Sequence, residues 1–148
     1  MQQLLQILVA GGDRRQQYAA QKLAKSPQLS VTTIGFSPSD SETLPEFDVL
    51  ILPIHTTAES VPSKNGNLSL PELLSHVKKG GLVCGGVLPE AVCRMCQEQE
   101  LCFCDYFQRE ELCLANAVPT VEGAIQIAIS ERETVLCGSS VLVIGCGR

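Results

Sequence analysis

The chain has 148 residues, 45% hydrophobic and 18% charged, with a formal net charge of −5. This length fits one domain with a substantial core, and the composition is that of an ordinary globular protein. The scattered Lys and Arg form no basic patch for nucleic acid, no apolar run approaches the roughly 20 residues that span a bilayer, and Met1-Gln2-Gln3-Leu4-Leu5 lacks the positive region and cleavage site of a secretory signal.

Met1 reads as the true start, because Leu4 to Val9 is at once an apolar run of strand length. Ala10-Gly11-Gly12-Asp13 makes a tight turn, and a helix from about Arg14 to Lys25 places Tyr18, Ala19, Leu23 and Ala24 at helical spacing. Ser26-Pro27 ends it. Val31–Ile34 is a β-branched second strand and Val49–Leu52 a third, closed by Pro53. His55 to Leu68 reads as a long irregular loop, a kind often functional or mobile. Pro71 opens a helix to about Val77, which Lys78-Lys79-Gly80-Gly81 stops. Leu82–Cys84 is a fourth strand, Pro89 to about Gln99 a helix and Leu101–Asp105 a fifth strand. A turn of helix near Arg109–Glu111 and an extended piece, Cys113–Asn116, precede a helix that Thr120 caps, running to about Arg132. Ser140–Ile144 is a last strand. The alternation of strands and helices predicts an α/β fold with a mainly parallel sheet and helices on both faces, three layers in all.

Several segments could carry chemistry. Gly11 to Gln16 follows a strand, at the edge where open α/β sheets bind ligands. Its glycines permit close backbone approach and its helix N-terminus favours anions. Arg15 can clamp a carboxylate with two hydrogen bonds, while Asp13 serves equally well as a plain helix cap. The absence of a G-K-[ST] ending excludes a mononucleotide P-loop. Pro53-Ile54-His55-Thr56-Thr57 would turn hydroxyls and an imidazole toward the same crevice, although a lone loop histidine is more often only solvated. Gly85-Gly86 reads as an ordinary strand-to-helix turn slightly ahead of a ligand contact. Gly123, inside a helix, suggests close packing or a site. Cys93, Cys96, Cys102 and Cys104 would make a zinc site only if the helix packed against the strand face that carries the second pair; buried small hydrophobes are the blander reading. Eight cysteines without a secretion signal fit reduced thiols in the cytoplasm. The final residues, Val141 to Arg148, look like a strand entering the first two glycines, Gly145 and Gly147, of a G-x-G-x-x-G dinucleotide turn.

Gly11-Gly12-Asp13-x-Arg15-Gln16, Leu52-Pro53, Phe107-x-Arg109-Glu110, Asn116-x-x-Pro119-Thr120-Val121-Glu122-Gly123-x-Ile125 and the Gly145-x-Gly147-Arg148 strand end together resemble the dipicolinate synthase A-chain family, over the N-terminal half of that family. The resemblance implies a flavodoxin/Rossmann-like α/β sandwich. It divides the chain into a flavodoxin-like, substrate-side domain over residues 1–119, an interdomain linking helix over 120–135, and the first strand and glycine turn of an NAD(P)-binding domain over 136–148. It implies oxidation of a lysine-pathway, dihydrodipicolinate-type precursor to dipicolinic acid during sporulation, with NAD or NADP as hydride acceptor and the dipicolinate synthase B chain as partner, the active site lying between the two domains. It further implies that Gly12, Asp13, Arg15, Gln16, Thr120 and Glu122 serve a small dicarboxylate substrate and that Gly145 and Gly147 begin the cofactor site. No catalytic base and no metal ligand is assigned, and His55 departs from the family pattern. The chain taken alone is expected to bind no cofactor and to be inactive, and its uncovered cleft surface would favour self-association. The competing reading is a non-catalytic flavodoxin-like module for subunit interaction or regulation.

Overall fold

The computed structural model describes residues 4–37 and 44–145. The chain divides into two compact units, Met1–Tyr106 and Phe107–Arg148.

The first unit is built on five strands. Strand β1 is Leu5–Ala10, and Asp13 caps helix α1, Arg14–Leu23, by accepting the Arg15 N–H at 2.8 Å. Strand β2, Leu29–Ile34, and strand β3, Phe47–Ile51, follow. The segment expected to be an irregular loop contains an antiparallel pair, β4 (Ser60–Val61) and β5 (Leu68–Ser69). Ser69 then caps the short helix α2, Leu70–Ser75. Strand β6, Val77–Gly85, begins five residues earlier than its apolar core implies, because Val77 pairs with Phe47 across a register irregularity. Gly81 sits at that irregularity, where a Cβ would come within 2.6 Å of Val77 Cγ1 and 2.9 Å of the Asp48 carbonyl. The Lys-Lys-Gly-Gly run is therefore part of a strand and not a helix stop. Helix α3 is Glu90–Glu98 and strand β7 is Cys102–Asp105.

The sheet is wholly parallel, in the order β2-β1-β3-β6-β7. Leu8, Leu50 and Val83 are in register on one face and form the main core with Leu70, Leu73 and Leu74 of α2 and Val92 and Cys96 of α3. Ile7 and Val9 face the other way and pack with Ala20 of α1, Val31, Val49 and Ile51. With helices on both faces, this unit is a Rossmann-like three-layer α/β sandwich. The helical spacing of α1 misleads at Tyr18, which is 65% exposed; Ala20 is the residue that α1 buries.

A partly buried carboxylate ties three strands at the amino edge. Asp48 accepts the Gln6 N–H at 2.8 Å on one oxygen and the Lys78 ammonium at 2.7 Å on the other. Hydrogen bonding from Lys78, then from Gln6, holds this carboxyl below its usual range. Such a group stabilises the fold above its unfolded value, and the contribution disappears as pH falls through the lower folded value.

The second unit contains helix α4, Glu110–Ser130, which a 3-10 turn over Tyr106–Gln108 precedes at the boundary between the units. Helix α4 absorbs both the helical turn expected near Arg109 and the extended piece expected at Cys113–Asn116. Pro119 lies in the helix interior. Its missing N–H costs one rung, and the Thr120 hydroxyl donates back to the Asn116 carbonyl at 2.8 Å. Thr120 is thus no N-cap; that position belongs to Arg109, whose side chain makes no cap bond. Residues 140–144, expected as a strand, pair with no strand among the described residues, and Val141–Ile144 are exposed. Helix α4 is long and apolar enough to cross a membrane by length and composition, although no uninterrupted apolar run approaches that length and Asn116, Glu122 and Gln126 interrupt it.

Urea unfolding at about pH 7 and about pH 3 should show a loss of stability on acidification that shrinks in Asp48→Asn, because the variant has no charge left to lose there. An identical pH dependence in the two proteins would contradict the role of this carboxylate.

Candidate functional site

The chain passes from β1 outward to β2 and then returns to β3 on the other side of β1, so the strand order reverses between β1 and β3. Open α/β sheets bind ligands beyond the carboxyl ends of their strands at such a point. The segments there are Gly11–Gln16 after β1, Pro53–Thr57 after β3, Gly85–Leu88 after β6 and Tyr106 after β7.

Gly11 and Gly12 both adopt positive φ, 59° and 85°. The space a side chain would need is filled by protein. A Cβ on Gly11 would strike the Pro62 carbonyl and lie 2.9 Å from Val61 Cγ1; one on Gly12 would lie 2.5 Å from Gln16 Cγ and 2.9 Å from Pro53 Cβ. The Gly12 N–H donates to the Pro62 carbonyl at 2.7 Å, and the Gly11 N–H donates to the Ile34 carbonyl at 2.8 Å. The turn therefore offers neither N–H to a ligand. Its glycines let the β4–β5 hairpin sit on the end of β1.

The candidate groups stand just beyond. Arg15 forms a bidentate pair with Asp13: Nε donates at 3.0 and 3.1 Å and Nη2 at 2.7 Å. The Arg15 hydrogen bonds hold the Asp13 carboxyl below its usual range, and Asp13 in turn raises the guanidinium. Both side chains are largely exposed, 74% for Arg15 and 56% for Asp13. Gln16 is half-buried and hydrogen-bonds the half-buried phenol of Tyr106. Burial pushes the Tyr106 phenol up, partly offset by the Gln16 bond and by the Arg15 charge. The Tyr106 hydroxyl lies 3.3 Å from the Leu52 carbonyl, to which it donates. Arg15, Gln16 and Tyr106 thus form one polar group at the carboxyl edge. Tyr106 has no signature in the sequence, because its proximity to Gln16 arises only when β7 joins the sheet.

Asp105 is a second residue that local sequence does not reveal. Its carboxylate accepts the Val87 N–H at 3.1 Å and the Leu88 N–H at 3.0 Å, fixing the β6–α3 connection. Gly85 packs against Leu88, as an ordinary strand-to-helix turn does. His55 and Val87 hold left-handed backbones, φ 67° and 55°, in loops at this edge. That conformation is strained for a non-glycine residue, and such strain gathers at functional sites. His55 is exposed, while buried Thr56 donates its hydroxyl to the Pro53 carbonyl at 3.0 Å. Thr57 pairs with Ser60 at the hairpin entrance, its N–H donating to the Ser60 carbonyl at 2.9 Å. The Thr56 and Thr57 hydroxyls are both engaged in this turn.

Helix α3 packs Cys96 into the main core, where burial pushes the thiol up to about 11. Cys102 and Cys104 alternate with Phe103, which is in register with core residue Val83, so they face the opposite side of the sheet. The four thiols do not converge, and among the described residues no group of three or more His, Cys, Asp or Glu side chains is arranged to hold a metal.

In the second unit Thr120 and Glu122 lie mid-helix on α4 and are exposed. A Cβ on Gly123 would meet nothing within 4 Å, so this glycine serves no close packing among the described residues. Gly145 holds φ 99° with open space around it, while Gly147 lies outside the described residues.

Residues 6–107 match the family model for the N-terminal domain of the dipicolinate synthase A chain. The chain belongs to that family. It is 29% identical over 163 aligned positions to the dipicolinate synthase A chain of Bacillus subtilis (strain 168), covering 97% of this chain and 54% of the relative. Among solved structures, the dipicolinate synthase A chain from Bacillus subtilis superposes with a TM-score of 0.70 at 24% identity, covering 90% of this chain and 50% of that one. Its counterpart from Bacillus halodurans gives 0.77 at 22% identity, covering 92% and 52%. These structural likenesses establish the shared fold. The chain spans about half the length of the dipicolinate synthase relatives it matches.

Gly11→Ala should lose more than about 1 kcal/mol of stability, since it adds left-handed strain to a clash with Pro62. Denaturant unfolding measures this; a loss below a few tenths would mean the hairpin does not rest on the turn.

Proposed function

We propose that this chain forms the substrate-side half of a dipicolinate synthase A chain. The observation that carries the proposal is the exposed Asp13–Arg15 pair beside Gln16 and Tyr106, at the carboxyl edge where the strand order reverses. An exposed ion pair contributes at most about 1 kcal/mol, so an incoming carboxylate can replace Asp13 on the Arg15 fork at little cost. Gln16 then supplies a neutral donor for a second carboxylate oxygen. Gly12 and Asp13 shape this end of the site, and Thr120 and Glu122 are further substrate contacts in the same reading.

The reaction proposed is oxidation of a dihydrodipicolinate-type precursor to dipicolinic acid. The ring loses a hydride and a proton as it becomes aromatic, and NAD or NADP supplies the hydride acceptor. Gly145, with a left-handed backbone and open surroundings, fits the first glycine of a dinucleotide turn, and Gly147 would be the second. The residues of this chain bind and orient the dicarboxylate; close orientation is what hydride transfer requires. The dipicolinate synthase B chain completes the enzyme, in a sporulating cell. The seven free cysteines among the described residues suit a reducing cytoplasm.

A second reading, a non-catalytic interaction module, draws support from α4, where Leu114, Val118, Val121, Ile125, Ile127 and Ile129 are exposed. One substitution separates the two. In the full-length protein assembled with its B chain, Arg15→Ala should raise KM about 10- to 100-fold with unchanged circular dichroism, the loss expected for one charge-assisted contact. Normal turnover with weakened assembly would instead favour the interaction module.

A further inference from the structure

Helix α1 covers only part of its side of the sheet. Its packing partners lie on β1, β2 and β3. Farther along the same face, on β6 and β7, stand Leu82 and Cys84, half-buried, then Cys102 and Cys104, exposed. Cys84 and Cys104 are direct register partners on adjacent parallel strands, one residue before the Gly85–Asp105 pair that ends both strands. Partners in register point to the same side, so both thiols stand on one face of the sheet. Neighbouring strands run about 4.8 Å apart, within the roughly 4.4–6.8 Å that a disulfide spans between Cα atoms.

We infer that Cys84 and Cys104 form a reversible disulfide when the protein meets a peroxide. Cys104 is the exposed member and reacts first. Its thiolate attacks one peroxide oxygen and the O–O bond breaks. Sulfur is oxidised to the sulfenic acid and the other oxygen leaves as water after taking a proton. The Cys84 sulfur then attacks the sulfenic sulfur as its thiol gives up its proton, the S–O bond breaks, and the leaving oxygen takes up a proton and departs as the second water. Two thiols and one peroxide thus become one disulfide and two waters. Burial pushes the Cys84 thiol up, and the neighbouring Cys104 adds to that shift, so Cys84 is a poor first nucleophile toward peroxide.

The placement also accounts for reversibility. Side chains in register on parallel strands stand farther apart at Cβ than the roughly 3.8 Å mean of a relaxed disulfide, so closure must draw the strands together. β7 is an edge strand whose neighbour in the sheet is β6, and it can make that shift. A strained bond has an oxidising potential and is readily reduced, the character of a regulatory bond. The strand ends it would join carry Gly85 on one side and Asp105 and Tyr106 on the other, so the bond forms at the border of the polar group described above.

The other thiols supply the controls. Cys102 shares that face two residues back, opposite Leu82, and Cys96 is buried on the other side of the sheet. The reduced 148-residue chain is treated with hydrogen peroxide, alkylated and examined by intact and tandem mass spectrometry. The expected result is a species that carries six alkyl groups where the reduced control carries eight, with Cys84 linked to Cys104, and that dithiothreitol added before alkylation abolishes. It should form in Cys102→Ser and be lost in both Cys84→Ser and Cys104→Ser. Wild-type tandem spectra assign the link without depending on any variant's folding. Linkage through Cys102 or Cys93, oxidation of Cys104 to the sulfinic acid with Cys84 still free, or no reaction at either thiol would overturn the inference.

Discussion

The Pro62 carbonyl resting on the Gly11–Gly12 turn is the contact on which the carboxyl edge depends. It uses the Gly12 N–H, fills the volume where Gly11 would carry a side chain, and brings fully buried Val61 onto the end of β1. The hairpin so held continues through Ser69 into α2, whose leucines supply much of the main core. A turn that looks shaped for a phosphate or carboxylate is instead occupied by the protein's own backbone. What the turn leaves to a ligand begins one residue later, with the side chains of Asp13, Arg15 and Gln16.

Two carboxylates brace the sheet from opposite edges. Asp48 joins β1, β3 and the start of β6 at the amino edge. Asp105 holds two backbone N–H groups of the β6–α3 connection at the carboxyl edge. Both satisfy backbone donors that the irregular starts and ends of a parallel sheet would otherwise leave to water. The difference between them lies in their neighbours: Asp48 pairs with Lys78, whereas Asp105 precedes Tyr106 in the chain. Tyr106 in turn spans from the Leu52 carbonyl to Gln16, so the end of β3, the end of β7 and α1 are linked through one side chain.

Much of this architecture is legible in the order of residues, for identifiable reasons. Each of the five parallel strands contains a short apolar or β-branched stretch, and α1 announces itself with Asp13 at its cap. What escapes local reading depends on partners distant in sequence. Ser60–Val61 and Leu68–Ser69 are too short and too polar to look like strands until they meet each other. Val77–Gly81 joins β6 only because Phe47 and Asp48 lie alongside, and Gly81 makes room for them. In α4 the error runs the other way. Thr120, with Glu122 in the turn after it, forms a convincing helix start, yet the preceding residues are good helix formers, and the rung lost at Pro119 is tolerated within 21 residues. In the site, Arg15 and Gln16 are visible because they sit on a helix N-terminus after a strand. Tyr106 and Asp105 are not, since nothing in their neighbours along the chain distinguishes them.

The Asp13–Arg15 pair matters to the functional reading because it resolves a conflict in the site. Under the proposed function, a guanidinium that receives a dicarboxylate would need an interim partner, or its many rotamers would have to be ordered at the moment of binding. Asp13 supplies that partner while also capping α1 through the Arg15 N–H, so its own position is fixed by the helix. An exchange with a ligand carboxylate would therefore move little: the carboxylate of Asp13 would keep its backbone bond while Arg15 turned its fork. A buried pair would impose a heavy penalty on such an exchange, because one charge would be stranded in low dielectric. The largely exposed pair avoids it, since water takes over whichever contacts the ligand leaves open. Exposure, which makes the pair negligible for stability, is what makes it suitable for recognition.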